Sequence, residues 1–178
     1  LDAAGITYTI SEVPSAGWNL ASVSCTGATP VVNLAAGTAT VTMSYGSPIV
    51  DCTFTNATPT LQLNKTWAPG SVAGDSVSMT TTGGANNATV VSVATAAGNT
   101  TTGTAVKVLT GNTITLPAES FGPGLQSSYI TTVACTGGTT LAAATPPQTI
   151  VIGNNVTPTV CTYTNSPSPG SVQVTKTV

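Results

Sequence analysis

The chain has 178 residues, of which 40% are hydrophobic and only 4% are charged. This length can bury one or two small cores, and the balance of hydrophobic to charged residues excludes a chain kept disordered by its charge. Three cationic side chains give electrostatic binding to nucleic acid no basis, and the lack of histidine excludes His-dependent triads and His metal sites. The four cysteines are widely separated, and no phosphate-binding loop motif or membrane-spanning apolar run occurs, so we expect no metal, cofactor or membrane insertion.

The residue types favour an all-β fold. The chain contains 37 threonines together with many valines, and both residues suit strands. No long stretch has helical periodicity, and glycine and proline punctuate the sequence as they do at turns. In chain order, the patterns that locate strands, turns and a linker are YTISE (8–12), CTFTN (52–56), LQLNKTW (61–67), TTGGANN (81–87), AAGNTTTG (96–103), ITLPAE (114–119), CTYTN (161–165), PSPG (167–170) and VQVTKTV (172–178).

Landmarks recur along the chain at a period near 109 residues. The recurring pairs are Glu12 and Glu119, Cys25 and Cys135, Cys52 and Cys161, Asn56 and Asn165, and Lys65 and Lys176. A fixed period indicates tandem units, here Ig-like or prealbumin-like β-sandwiches, one complete and two partial. We predict the C-terminal half of a unit at 1–57, a complete unit at 59–166, and a linker with the first strand of another unit at 167–178.

Strand alternation places both repeated lysines on apolar faces. In LQLNKTW, Lys65 shares a face with Leu61, Leu63 and Trp67, and Lys176 alternates in the same way with valines. The same rule groups three further sets: Cys52, Phe54 and Asn56; Cys161, Tyr163 and Asn165; Tyr8, Ile10 and Glu12. Before Glu119 the alternation slips by one residue at Pro117–Ala118, which predicts a β-bulge.

A lysine on an apolar face has a specific chemical use beside a carboxylic acid and a carboxamide. Burial of an unpaired ammonium costs several kcal/mol and lowers the lysine pKa. The neutral amine is a nucleophile that can attack an asparagine carboxamide, with a glutamic acid polarising the carbonyl group and shuttling the proton. Ammonia leaves, and an amide between two side chains replaces the buried charge.

The order of lysine on a first strand, glutamate near a turn such as SEVPSAGW (11–18), and asparagine on the last strand resembles a known family. It is similar to the collagen-adhesin B-type, prealbumin-like repeat domains of bacterial surface adhesins and pilins. The resemblance implies a self-generated isopeptide bond between Lys65 and Asn165, with Glu119 as its acid and base. It also implies that Glu12 and Asn56 belong to a partial trio and that Lys176 opens another. The segment ESFGPG (119–124) departs from the pattern because it lacks the Gly-aromatic pair.

An ordinary structural role remains open for each of these residues. A strand lysine can extend its ammonium to the rim of a sheet, and an asparagine at a strand end is a common turn residue. The repetition of both residues at matching positions in a chain with so few charges favours the crosslink. Lys107, between two valines, is predicted to face solvent, and Asp2, Asp51 and Asp75 to be surface or loop residues.

In an extracellular β-domain, two cysteines per unit indicate the disulfides Cys25–Cys52 and Cys135–Cys161, with buried free thiols as the alternative. The resulting hypothesis is a structural module of a bacterial surface fibre, pilus-like filament or adhesin stalk, whose partners are copies of itself or adjacent repeats, head to tail. We expect no enzymatic turnover, because the reactive trio would be consumed once. Glycans are possible at the N-X-Ser/Thr motifs of Asn56, Asn64, Asn87, Asn99 and Asn155. The alternative function is a Thr-rich module that binds carbohydrate or ice.

The strand VQVTKTV allows two interpretations. The chain can be a window from a longer repeat protein, which we favour, since it begins at Leu1 without a methionine or signal peptide. It can also be a subunit whose final strand completes the half-unit of the next copy, with Lys176 near Glu12 and Asn56. The half-unit is about fifty residues shorter than the complete one, which counts against the second interpretation.

Overall fold

A computed structural model describes residues 5–46, 49–122, 128–170 and 174–176. The secondary-structure elements of these residues are β-strands, which confirms the all-β class. The first five are β1 (Thr7–Ser11), β2 (Asn19–Thr26), β3 (Val31–Asn33), β4 (Thr38–Thr42) and β5 (Asp51–Ala57). The others are β6 (Thr60–Trp67), β7 (Ser76–Thr80), β8 (Thr89–Val93), β9 (Asn99–Thr102), β10 (Val106–Lys107), β11 (Thr113–Leu116), β12 (Ser120–Phe121), β13 (Tyr129–Gly137), β14 (Leu141–Ala144), β15 (Gln148–Val151) and β16 (Thr159–Pro167).

Strands β6 to β16 form layered sheets around one core. The largest sheet has the order β10-β6-β16-β13-β14, and β9 also pairs with β6. A second sheet has the order β12-β7-β8, and β11 pairs with β15. The hydrophobic core between these sheets contains residues from Leu61 to Tyr163. Its members include Leu61, Leu63, Trp67, Val77, Met79, Val90, Val108, Ile114, Leu116, Val133, Ile150, Cys161 and Tyr163.

Strand β6 shows why this sequence forms a half-buried strand. Its inward residues Leu61, Leu63, Lys65 and Trp67 are each 1% exposed or less, and the residues between them are half-buried. The predicted period of two is therefore present along the whole strand. Strand β6 lies between β16, to which it runs parallel, and the antiparallel β9 and β10.

The first five strands form two smaller sheets, β1-β4-β3 and β2-β5. Their pairing repeats part of the later unit: β1 pairs with β4 as β11 pairs with β15, and β2 pairs with β5 as β13 pairs with β16. One element of the later unit has no counterpart here. Strand β16 has β6 on its second edge, whereas the second edge of β5 is unpaired within the described residues.

The repeated Cys-Thr-Gly sequence has a backbone reason. Gly27 and Gly137 both have positive φ values, of 84° and 90°. A Cβ atom on Gly27 would overlap the carbonyl oxygen of Ile49, and one on Gly137 would overlap that of Pro158. Only glycine fits a positive φ this close to the facing backbone, so the residue recurs two positions after each cysteine.

The half-unit contacts loops between the later strands through a buried asparagine. The Asn19 Nδ2 atom donates a hydrogen bond to the Asn155 carbonyl oxygen at 2.9 Å, and its Oδ1 atom accepts one from the Thr110 hydroxyl at 3.0 Å. Asn19 is 4% exposed, and both of its amide atoms are therefore satisfied in a buried position.

One local prediction is wrong, and another did not include the burial of its residue. The slip before Glu119 is not a bulge in one strand: β11 ends at Leu116 and pairs with β15, and β12 begins at Ser120 and pairs with β7. The proline ends one strand, and the chain changes sheets across this break. Asp75 is in a loop, as predicted, but it is 6% exposed and accepts a hydrogen bond from the Tyr129 hydroxyl at 2.5 Å. The partner hydroxyl satisfies the buried carboxylate, which composition alone could not indicate.

Candidate functional site

The centre of the site is the fully buried side chain of Lys65 on β6. Its Nζ atom lies 3.1 Å from Glu119 Oε1, 3.3 Å from the Thr66 carbonyl oxygen and 4.5 Å from the centroid of the Trp67 ring. Desolvation by burial lowers the pKa of Lys65 to about 8, against an opposing effect of the Glu119 charge. Near neutral pH a minority of the Lys65 side chains therefore carry an uncharged amine, whereas an exposed lysine is almost entirely charged.

Glu119 reaches the site from the break between β11 and β12. Its side chain is fully buried, and its two oxygens face different partners. Oε1 faces the Lys65 ammonium, and Oε2 lies 3.3 Å from the Thr131 hydroxyl. The change of sheet at 117–119 is what turns this carboxyl group inward. Of the ESFGPG segment, Pro123 and Gly124 lie outside the described residues.

Asn165 is fully buried on β16, and its carboxamide is held on one side only. Its Oδ1 atom accepts a hydrogen bond from the Thr131 hydroxyl at 2.8 Å. Its Nδ2 atom is buried and has no hydrogen-bond partner among the described residues. A buried amide nitrogen without a partner is rare and costly in a folded protein, so its presence here calls for a chemical explanation.

Parallel pairing of β6 with β16 places Lys65 and Asn165 on adjacent strands, two residues apart in the register. In the register of these strands Lys65 is opposite Tyr163, and Trp67 is opposite Asn165. Tyr163 and Asn165 are both fully buried, and the Tyr163 hydroxyl donates a hydrogen bond to the Pro117 carbonyl oxygen at 2.9 Å. Burial, followed by the Glu119 charge, raises the pKa of Tyr163. The phenol therefore stays neutral and closes one side of a dry site.

The half-unit contains the acid and the carboxamide without a lysine. Asn56 Nδ2 donates a hydrogen bond to Glu12 Oε1 at 2.7 Å. The other two polar atoms, Glu12 Oε2 and Asn56 Oδ1, are buried and have no partner among the described residues. Lys176 is exposed outside any strand and contacts neither of them within the described part of the chain.

Apolar side chains beside this second site are left in solvent. Tyr8 and Ile10 are 48% and 36% exposed, although they alternate with Glu12 as predicted. With Val41, Met43, Ile49 and Val50 they line an open groove of about 440 Å³. In β5, Cys52, Phe54 and Asn56 are half-buried, whereas their counterparts in β16 are buried.

Both predicted disulfides are present in the structure. Cys25–Cys52 joins directly paired residues of β2 and β5, and Cys135–Cys161 joins those of β13 and β16. Cys135 and Cys161 are buried in the core, and Cys25 and Cys52 are half-buried. Each disulfide links the asparagine strand to its neighbour in the same sheet.

Thr131 is a site residue that the sequence analysis missed. Its only signal was its place on the strand that faces Asn165, and that pairing cannot be read from a single sequence. Lys107 is exposed, as predicted. Asn87 is exposed among the possible glycan sites, while Asn56, Asn64, Asn99 and Asn155 are half-buried.

The described residues contain no group of three or more cysteine, aspartate or glutamate side chains placed to hold a metal ion. Nor does any helix within them have the length and apolar character needed to cross a membrane.

Comparisons with known proteins agree with the resemblance predicted for the first unit. A family model described as a prealbumin-like fold domain matches residues 1–58. No curated protein matches the chain. Among solved structures, the major pilin protein T3.2 of Streptococcus pyogenes is 13% identical with a TM-score of 0.38, and the match covers 92% of this chain and 68% of that one. The T-13 major pilin of the same species is 15% identical with a TM-score of 0.36, over 91% of this chain and 66% of that one.

TM-scores and identities this low do not establish a shared fold for the whole chain. The match to residues 1–58 concerns sequence, and it includes Glu12, the cysteine pair and Asn56. Residues 1–58 therefore carry the sequence pattern of a prealbumin-like domain, within a chain whose described elements are all strands.

Proposed function

We propose that this protein is a structural repeat module of an extracellular bacterial surface fibre, pilus-like filament or adhesin stalk, stabilised by an isopeptide bond between Lys65 and Asn165. The observation that carries the proposal is the buried trio of Lys65, Glu119 and Asn165. Disulfides are typical of extracellular proteins, which supports the location.

The trio contains every group that amide formation requires. Lys65 provides a nucleophile whose lowered pKa favours the uncharged amine. Glu119 provides an acid and base in contact with that amine, and Asn165 provides the carboxamide in the same dry site. Bond formation removes the buried ammonium and releases the unsatisfied Asn165 nitrogen as ammonia, so both costly features of the unreacted site disappear.

The experiment that tests the proposal is the intact mass of the oxidised, purified chain. One bond lowers the mass by about 17 Da, since one ammonia is lost when an amine displaces a carboxamide nitrogen. Digestion should also give a branched peptide that joins the β6 and β16 segments. A full mass after correction for two disulfides, together with two unlinked peptides, would reject the bond.

We further propose that the segment VQVTKTV (172–178) pairs as a strand with the open edge of β5, joining copies of the chain or successive repeats of one polypeptide end to end. The repeat offsets fix the register. Leu63 is opposite Cys161 and Lys65 is opposite Tyr163, so Val174 corresponds to a place opposite Cys52, and Lys176 to one opposite Phe54.

Three features of the half-unit support this occupant. The edge of β5 is unpaired within the described residues, and exposed strand edges readily accept another strand. The apolar groove beside Val50 offers space for inward valines, as the core does for Leu61 and Leu63. The two buried oxygens without partners, on Glu12 and Asn56, are acceptors for an ammonium.

One observation favours a second candidate function. Exposed threonines form hydrogen-bonded pairs across β1 and β4, with Thr7 and Thr42 hydroxyls 3.0 Å apart and those of Thr9 and Thr40 3.4 Å apart. Paired threonines on one face of a sheet could bind carbohydrate or ice. A glycan array and an ice-recrystallisation assay test this alternative without involving the lysines.

A further inference from the structure

The hydroxyl group of Thr131 contacts both partners of Lys65. Thr131 lies on β13, directly opposite Asn165 on β16. Its Oγ1 atom is 2.8 Å from Asn165 Oδ1 and 3.3 Å from Glu119 Oε2. We propose that Thr131 is a catalytic residue of the crosslinking reaction, which donates a hydrogen bond to the carbonyl oxygen of Asn165 and, over a longer distance, to the Glu119 carboxyl group. This inference rests on the proposed Lys65–Asn165 bond.

The number of hydrogens on the hydroxyl fixes the direction of each contact. A threonine hydroxyl carries a single hydrogen, and Asn165 Oδ1 can only accept. The hydroxyl hydrogen is therefore directed mainly at Asn165 Oδ1, in the 2.8 Å contact, and is shared with Glu119 Oε2 in the 3.3 Å contact. The Lys65 ammonium transfers a proton to Glu119 Oε1, the oxygen that it contacts. The same transfer creates the neutral amine, so one step prepares both the nucleophile and the acid.

The reaction balances with these groups alone. The Lys65 Nζ lone pair attacks Asn165 Cγ, and the carbonyl π electrons move onto Oδ1, where the Thr131 hydroxyl stabilises the developing negative charge. A second Nζ proton passes to Nδ2, the Cγ–Nδ2 bond breaks, and ammonia leaves as the carbonyl group reforms. Lys65 ammonium, Glu119 carboxylate and Asn165 carboxamide thus become one amide, one neutral glutamic acid and one ammonia molecule.

The half-unit provides an internal comparison without the hydroxyl. The residue opposite Asn56 is Leu20, where Thr131 stands opposite Asn165. There the carboxamide is turned the other way: its nitrogen donates to Glu12, and its carbonyl oxygen has no donor among the described residues. The carboxamide oxygen therefore has a donor in the unit where threonine lies opposite the asparagine. Within the described part of the chain it has none in the unit where leucine takes that place.

The test compares crosslinking rates of the full chain after refolding from denaturant under oxidising conditions, with the loss of about 17 Da followed by intact mass. Thr131→Val keeps the β-branched shape and removes the hydroxyl, and we expect its rate to fall about 100-fold, as for loss of one donor to an oxyanion. Thr131→Ser restores the hydroxyl and should react within a few-fold of wild type. Thr132→Val, on the adjacent residue of the same strand, is the matched control and should also react at nearly the wild-type rate.

A pH profile separates catalysis from a change of structure. The wild-type rate should rise with pH up to about the Lys65 pKa of about 8. In Thr131→Val the rate at high pH should fall while the pH midpoint of the profile stays the same. Displacement of Lys65 or Glu119 would instead move the midpoint. Should the valine variant fail to refold, Thr131→Ala is measured in the same way.

The outcomes are distinct. A wild-type chain that never loses ammonia rejects the proposed bond itself. A wild-type chain that does so, with Thr131→Val or Thr131→Ala reacting at the same rate, rejects the role of Thr131 and leaves the bond intact. A shifted pH midpoint in the variant would likewise overturn the catalytic assignment.

Discussion

The Nζ atom of Lys65 and the Oε1 atom of Glu119 lie 3.1 Å apart with both side chains fully buried. Ion pairs in a protein core gain little net stability, because desolvation of the two charges offsets their attraction. The pair is therefore better explained by reactivity than by stability. Its chemistry and that of its counterpart in the half-unit lead to four predictions.

The first prediction concerns the acid. Glu119→Ala should leave the sheets intact and abolish the mass loss, because no other carboxyl group contacts Lys65 among the described residues. Unfolding by denaturant should become easier, since the covalent bond is absent and Lys65 stays in the core as an amine without its acidic partner. Lys107→Ala removes an exposed lysine and is the control. A Glu119→Ala chain that still loses about 17 Da from its own calculated mass would show that Glu119 is not needed.

The second prediction concerns pH and the unreacted lysine. Asn165→Ala prevents the bond and leaves Lys65 in the core with its pKa lowered to about 8. Between pH 8 and 10.5 the unfolded chain then binds more protons than the folded chain, so stability rises with pH. From pH 7.5 to 9.5 we expect a gain of about 2 kcal/mol in the free energy of unfolding.

Denaturant titrations at several pH values measure this gain. Adding Lys65→Met to Asn165→Ala should remove most of the slope, because no buried amine remains to titrate. The titrations stop below pH 10. Above that pH the raised pKa values of Tyr129 and Tyr163 make the free energy of unfolding fall as pH rises. A flat profile for Asn165→Ala would contradict the assigned pKa of Lys65.

The third prediction concerns assembly. At high concentration the chain should form a ladder of multimers that survives boiling in detergent and reductant, because the Lys176 amine of one copy reacts with Asn56 of the next. Lys176→Ala and Asn56→Ala should each abolish the ladder, while the internal mass loss from Lys65 and Asn165 persists. Lys107→Ala is the control for general lysine reactivity.

Two results would contradict this mode of assembly. A ladder that persists in Lys176→Ala would exclude the proposed bond. A structure of a multimer in which the edge of β5 pairs with a strand other than 172–178 would exclude the proposed occupant.

The fourth prediction concerns the disulfides. Under native conditions a mild reductant should open Cys25–Cys52 before Cys135–Cys161, because the first pair is half-buried and the second lies in the core. Thiol labelling should therefore find two reactive cysteines before unfolding and four after it. Loss of either bond should cost about 3 kcal/mol, from loops of 27 and 26 residues in the chain-entropy model. Four labelled thiols without reductant would contradict both bonds.

The sequence alone determined the local features of this protein. Alternation placed Lys65 on the buried face of β6 and Asn165 on the buried face of β16, because side chains of a strand alternate whatever it pairs with. Fixed spacing paired the cysteines, and the Cys-Thr-Gly repeat located equivalent turns. Each of these follows from short-range geometry or from comparison of two stretches of one chain.

The tertiary structure alone decided which strands are neighbours. Parallel pairing of β6 with β16 puts Lys65 and Asn165 on adjacent strands, and antiparallel pairing of β13 with β16 puts Thr131 opposite Asn165. The break at 117–119 was predicted as a bulge, because a sequence shows that alternation fails and not which sheet each half joins. The sequence predicts that Asp75 lies on the surface or in a loop, but its burial depends on a hydrogen bond from Tyr129, 54 residues further along the chain. Such contacts arise from packing of distant segments, and the hydrophobic pattern of either segment does not contain them.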